Sequence, residues 1–325
     1  MRIAVVGAGA IGAYVGAALA RGGSDVHLVA RGANLEAMRR DGIRVLSPRG
    51  DFIARPPATD DPREIGPVDI VFLGLKANGY ATCAPLLEPL MDDHTAVVAA
   101  QNGIPWWYFH GMNGRFGGRR IETVDPDGTV SRVIAPSRAI GCVVYAGTEL
   151  SAPGVVRHLE GTRFTIGEPD GTHSERCQRF SDAMIAGGLK CPVETTGLRN
   201  EVWVKLMGNV SFNPLSALTQ ATIGGICRHQ PTRRLVETMM HETLAVARAL
   251  GAEPHVSVER RLAGGEAVGE HRTSTLQDLL AGKPLELGPI IDAVVELADV
   301  TQVEVPSLRA VSAACGLLAQ TLELV

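Results

Sequence analysis

Between Trp203 and Leu215 the sequence W-V-K-L-M-G-N-V-S-F-N-P-L spaces Lys205, Asn209 and Asn213 at i, i+4 and i+8. A helix there carries an amine and two amides on one face. The neighbours Val202, Trp203, Leu206, Met207, Val210, Phe212 and Leu215 are apolar and read as core. Packing has no need for such a polar stripe, but a ligand cleft does: an ammonium can give a proton, and amides can hold polar substrate groups. Lys205 is therefore the leading candidate for a proton donor. The plain alternative is a solvated helix face whose lysine lays its methylenes over apolar neighbours.

The other end of the chain offers a second chemistry. Gly7-Ala8-Gly9-Ala10-Ile11-Gly12 fits G-x-G-x-x-G. The pattern alone is weak. Here it follows the buried-strand run 2–6 and opens a small-residue helix to about Arg21, which is the context that a dinucleotide site requires. The glycines permit a tight turn and close backbone approach, and the helix N-terminus offers unpaired N–H groups to a pyrophosphate. A glycine-rich packing turn is the alternative. The next strand, 25–30, ends at Arg31 rather than at Asp or Glu. A carboxylate at that point repels a 2′-phosphate and an arginine pairs with it, so the cofactor expected is NADP(H). Read blandly, Arg31 is a solvated loop residue.

These residues need a scaffold. Strand patterns at 2–6, 25–30, 68–75 and 95–100 alternate with helical ones, and 43–46 with 52–54 suggest a small hairpin. That alternation predicts an α/β, Rossmann-type doubly wound sheet. Antiparallel strands are expected over 138–145, 154–159 and 163–166, then a helix over 174–186. Beyond Gly197 the pattern is helical, at about 199–220, 230–250, 255–262, 273–281, 287–301 and 306–322. The expected domains are therefore 1–197, binding the nucleotide, and 198–325, all-α and carrying substrate and catalytic groups.

Composition narrows the class. A net charge of −4 without a Lys/Arg block argues against nucleic acid as a partner. The six cysteines lack any C-x-x-C, which suits a reducing cytoplasm and gives no metal site. Residues 3–20 are uncharged and superficially resemble an export signal. Gly7, Gly9, Gly12 and Gly16 interrupt them, each costing a continuous helix about 0.8–1 kcal/mol relative to Ala. The stretch reads as strand then helix, with neither export nor a membrane expected. The apolar stretches 290–300 and 311–324 suit either a domain core or a homodimer seam.

Taken together, the chain resembles the ketopantoate reductase (2-dehydropantoate 2-reductase) family over nearly its whole length. The resemblance rests on Gly7–Gly12, Leu75-Lys76, Gln101-Asn102-Gly103, the Lys205–Asn209–Asn213-Pro214-Leu215 helix, and Ser274-Thr275-Leu276-Gln277-Asp278 followed by Glu286. It implies a Rossmann domain, a helical domain like the C-terminal one of 6-phosphogluconate dehydrogenases, and an active site in the cleft between them. The implied reaction is NADPH-dependent reduction of 2-dehydropantoate to (R)-pantoate, on the way to pantothenate and coenzyme A. The family's catalytic lysine matches Lys205, and the counterpart of Lys76 lines the same site, where it orients cofactor or substrate carboxylate. Asn102, leaving a strand end, can bridge nicotinamide ribose and substrate. Asn209 and Asn213 can bind the substrate's carboxylate or hydroxyl, Ser274 can donate to the carboxylate, and Glu286 can accept from a hydroxyl. Pro214 should bend the helix at Asn213, which either exposes Asn213 to the cleft or, equally without the family, is a structural kink. Without the family, Glu286 reads as a surface residue.

Two departures bear on the substrate. Ile223 stands where the family's model members carry another asparagine, and Glu286-Leu287-Gly288 replaces E-I-D. The run Trp106-Trp107-Tyr108-Phe109 just after Asn102 is either a wall over substrate or core packing. Two further readings stay open: a related reductase of another 2-keto acid, and a non-catalytic NADP(H)-binding sensor. The polar stripe argues against the sensor, which has no use for a proton donor.

Overall fold

A computed structural model describes residues 1–324. Two compact units are present: Met1–Gln101 with Trp107–Arg119 and Gly128–Leu198, and Asn102–Trp106 with Arg120–Asp127 and Arg199–Val325. Two short segments from within the expected first domain thus group with the helices.

The first unit is built on nine strands: β1 (Arg2–Val6), β2 (Asp25–Val29), β3 (Ile43–Leu46), β4 (Phe52–Ala54), β5 (Ala58–Thr59), β6 (Ile70–Leu73), β7 (Ala96–Ala99), β8 (Ala139–Ala152) and β9 (Val155–Gly167). They form one sheet in the order β4-β3-β9-β8-β7-β6-β1-β2-β5. β1 pairs in parallel with β2 on one side and β6 on the other. The strand order reverses there, which is where open α/β sheets bind ligands beyond their C-terminal strand ends. The helices are α1 (Ala10–Arg21), α2 (Gly32–Asp41), α3 (Ala84–Leu87), α4 (Thr129–Val133) and α5 (Glu175–Ala186). Ile3, Val5, Leu28, Ile70 and Phe72 are fully buried with α1 and α5 residues such as Leu19 and Phe180. Ala4, Val6, Val71 and Leu73, on the opposite face of their strands, are equally buried, as uninterrupted apolar strand runs require.

β8 and β9 pair antiparallel and are longer than the sequence pattern suggests. Gly161, in the left-handed region at φ 66°, reads as a turn residue but sits within β9, where Gly147 faces Glu160 and the register shifts. It is accommodated as a bulge, and the strand continues. β9 then pairs in parallel with β3, carrying the β3–β4 hairpin to the sheet edge. Trp106, Trp107, Tyr108 and Phe109 are all buried, and Trp107 packs over Gly141.

The second unit is helical: α6 (Leu198–Thr219, its first residue in the sheet unit), α7 (Ile223–Arg228), α8 (Gln230–Ala249), α9 (Val258–Val268), α10 (Ser274–Leu280), α11 (Ala293–Thr301) and α12 (Pro306–Thr321). α9 runs past residue 262, where the sequence pattern ends it, through Gly264-Gly265, and Phe212 packs where a Gly265 side chain would stand. α6 is continuous across Pro214, although proline removes the N–H that Val210's carbonyl would ordinarily accept. Glu296 on α11 grips Arg120–Asp127: the backbone N–H groups of Glu122 and Thr123 each donate to its carboxylate at 2.8 Å. Buried Glu242 on α8 similarly accepts from the N–H groups of Ser307 and Leu308, capping α12. Among the described residues no helix is long and apolar enough to cross a membrane.

Candidate active site

At the end of β1 the chain turns through Gly7 at φ 90° and enters α1 at Ala10. A Cβ on Gly12 would stand 2.1 Å from the Gly7 carbonyl oxygen, so the turn closes this tightly only with glycine at position 12. Gly9 caps α1 without a side-chain hydrogen bond and has open space where a Cβ would be. The first amides of α1 are thus uncovered by any capping side chain and approachable by a ligand.

These residues border a cavity of about 420 Å³, whose lining includes Gly7, Ala8, Gly9, Arg31, Asn34, Asp60 and Cys83. Arg31 is exposed, and α2 begins directly after it, again with no side-chain cap. Asn34 was not singled out by sequence reasoning, yet it holds the loop. Its Nδ2 donates to Ala8 O at 2.5 Å and its Oδ1 accepts from Gly154 N–H at 2.8 Å. No motif marks it, since the partners lie 26 and 120 residues away. Cys83 donates to the Tyr80 carbonyl at 3.0 Å, and burial pushes its thiol up to about 11, so it lines the cavity as an unreactive thiol. An uncovered helix N-terminus, a cradle that a Cβ would fill and a guanidinium at the second strand's end fit a dinucleotide. Lys76 leaves the end of β6 in extended conformation, partly buried, and belongs to this same unit.

Asn102, Lys205, Asn209, Asn213, Ser274 and Glu286 all belong to the helical unit. Lys205 Nζ donates to Asn102 Oδ1 at 2.7 Å, joining residues 103 apart in sequence. Two turns along α6, buried Asn213 donates from Nδ2 to Ser274 Oγ at 3.4 Å. Ser274 opens α10, whose start is fixed by Thr273 Oγ1 accepting from Leu276 N–H at 3.1 Å. Asn209 lies between the two pairs on the same helix face, partly buried. Glu286 is buried, so it is no surface carboxylate. Ile223 opens α7, where its N–H donates to His271 O at 3.0 Å.

The placement of Asn102 has a backbone cause. Residues Gly288–Asp292, just past Glu286, form a π-helical turn in which the Ala293 N–H reaches back to Gly288 O. In an α-helix that N–H would bond Pro289 O. The wider turn releases the Pro289 carbonyl, which accepts instead from Ile104 N–H at 2.8 Å. Gly103 lies against the same carbonyl at φ 83°, and a Cβ there would stand 2.1 Å from Pro289 O.

Comparison with known proteins gives the family. The family model described as "Ketopantoate reductase PanE/ApbA" matches residues 3–171, and that for "Ketopantoate reductase PanE/ApbA C terminal" matches residues 197–318. A 2-dehydropantoate 2-reductase of Mesorhizobium japonicum is 45% identical over 314 residues, covering 96% of each chain. A solved structure from Ralstonia solanacearum MolK2, provisionally described as a ketopantoate reductase, superposes with a TM-score of 0.93 at 33% identity over 100% of this chain and 99% of its own. The 2-dehydropantoate 2-reductase of Geobacter metallireducens GS-15 gives 0.85 at 29% identity, over 98% of this chain and 100% of its own. With both halves matched in order, the chain belongs to the ketopantoate reductase family of oxidoreductases.

Proposed function

We propose that the chain reduces 2-dehydropantoate to (R)-pantoate with NADPH, and that Lys205 is the general acid. The observation that carries this reading is the 2.7 Å hydrogen bond from Lys205 Nζ to Asn102 Oδ1, on a helix face that also bears Asn209 and Asn213. Reducing a ketone develops negative charge on its oxygen, and an ammonium flanked by apolar neighbours both stabilises that charge and supplies the proton.

Gly7, Ala8, Gly9, Ala10, Ile11 and Gly12 would hold the pyrophosphate of the dinucleotide, and Arg31 its 2′-phosphate. Bound there, the nicotinamide supplies a hydride. Asn102 orients Lys205 through Oδ1 and keeps its amide N–H groups for the nicotinamide ribose or the substrate. Lys76 orients the cofactor or the substrate carboxylate. Asn209, Asn213 and Ser274 supply donors for the carboxylate or hydroxyl, and Glu286 accepts from the substrate hydroxyl. The cytoplasm, where coenzyme biosynthesis supplies keto acid and NADPH, suits the buried free thiols.

Ile223 favours a second reading, reduction of a different 2-keto acid, because an apolar side chain replaces a polar contact the family's model members have. The test is NADPH oxidation against a panel of 2-keto acids differing in branching and charge. The highest kcat/KM on 2-dehydropantoate supports the first reading. A higher value on another keto acid supports the second, and no turnover with any removes the enzymatic assignment for these residues.

A further inference from the structure

We propose that Asp60 is the counterpart of Arg31 in the adenosine pocket: a carboxylate that recognises an unphosphorylated ribose and limits the preference for a 2′-phosphate. The proposal rests on the dinucleotide reading above and deepens it.

The acid usually sought at the end of the second strand is missing from this chain, which has Arg31 there. The sheet supplies one from the neighbouring strand. β2 and β5 pair in parallel with Val29 opposite Thr59, and Ala30 N–H donates to Thr59 O at 3.0 Å. Arg31 and Asp60 therefore leave adjacent strand ends on the same side of the sheet, and both line the cavity that contains the glycine loop. β5 is only two residues long, which is why the sequence pattern does not reveal it and Asp60 reads as loop charge.

Asp60 is available to a ligand. Its Oδ1 pairs with Arg39 Nη2 at 3.4 Å, with side chains 66% and 50% exposed respectively. Exposed pairs of this kind contribute little, so the carboxylate can turn to a ligand at small cost. Arg39 is held separately, through Nε donating to Ala58 O at 3.0 Å, and stays near Asp60 as a partial neutraliser.

The two cofactor forms should respond to Asp60 with opposite sign. A ribose diol has two O–H groups that can donate to a carboxylate. A 2′-phosphate carries a charge of about −1.5 to −2 and is repelled by it. Arg31 acts in the reverse sense. The pocket thus holds one determinant for each form, and Arg39 shifts the balance toward phosphate by masking Asp60.

The experiment is direct binding of NADPH, NADH, 2′,5′-ADP and AMP to the full chain, by calorimetry and nucleotide fluorescence, for wild type, Asp60→Asn and Arg39→Ala. Asp60→Asn should tighten NADPH and 2′,5′-ADP and weaken NADH and AMP, moving the NADH/NADPH Kd ratio by about tenfold or more. Arg39→Ala, which unmasks Asp60, should weaken NADPH and 2′,5′-ADP and leave NADH and AMP no weaker than in wild type. An unchanged ratio in Asp60→Asn, or a change of both cofactors in the same direction, would overturn the assignment of Asp60. If wild type binds neither dinucleotide, the cofactor reading itself fails, a separate outcome from loss of selectivity alone.

Discussion

Lys205 Nζ and Asn102 Oδ1 are joined by a 2.7 Å hydrogen bond although α6 and the strand preceding Asn102 belong to different units. The bond is possible because Asn102 itself groups with the helices. Gly103 and Ile104 seat it on the carbonyl that the π-helical turn at Gly288–Asp292 releases. A charge-assisted bond of this kind fixes the amide with its oxygen toward the ammonium, leaving its N–H groups as the donors Asn102 can offer elsewhere.

Gly103→Ala tests that seating. The added Cβ would stand 2.1 Å from Pro289 O, on a backbone at φ 83° that alanine adopts only under strain. The expected result is a fall in kcat of at least about tenfold, larger than any change in NADPH Kd, because the glycine loop that holds the pyrophosphate is untouched. Stopped-flow reduction and cofactor titration separate the two quantities. Unchanged kcat would mean that the Pro289 carbonyl does not position Asn102.

Arg31→Ala addresses the phosphate assignment. Losing a guanidinium–phosphate pair should raise Kd for NADPH by about tenfold or more and leave NADH almost unaffected. Equal losses for the two cofactors would assign Arg31 to the loop rather than to the phosphate.

Asn213→Ala should raise KM for the keto acid by about tenfold while the Kd of NADPH holds, since Asn213 bonds Ser274 on the substrate side of the proposed site. A matching loss of cofactor affinity would contradict the division of labour between these residues.

A pH effect is expected from Asp292. Burial raises its carboxyl above the ordinary 3.8, against the lowering effect of the Ser312 hydroxyl that donates to it at 2.5 Å. A raised acid favours the folded state while protonated in both states, and that advantage is lost as pH rises through the folded value. Asp292→Asn should therefore raise Tm at pH 7, with the gain shrinking toward zero as pH falls below about 3.8. A pH-independent difference between variant and wild type would show that ionisation is not its source.

Much of this molecule is legible in its residues, and the exceptions share a cause. The glycine loop and the alternating strands and helices rest on local pattern, and the Lys205 stripe is visible because 3.6-residue periodicity exposes it. What escapes local reading is what distant residues decide. Asn34 matters because of Ala8 and Gly154, and Asp60 because two-residue β5 aligns with β2. α9 continues through Gly264 and Gly265, and Gly265 leaves the space that Phe212 fills. The π-helical turn has no sequence signature at all, and its role emerges only with Ile104 in place. The aromatic run at 106–109, read as either wall or core, is buried, so it stands with the packing.

The central claim is that Lys205 gives the proton. Its most direct test is the kcat of Lys205→Ala at saturating NADPH and 2-dehydropantoate, with both binding constants measured in parallel. The account predicts a fall of at least about 100-fold in kcat with NADPH affinity retained, the scale of a lost general acid. A variant that keeps near-normal kcat would contradict it.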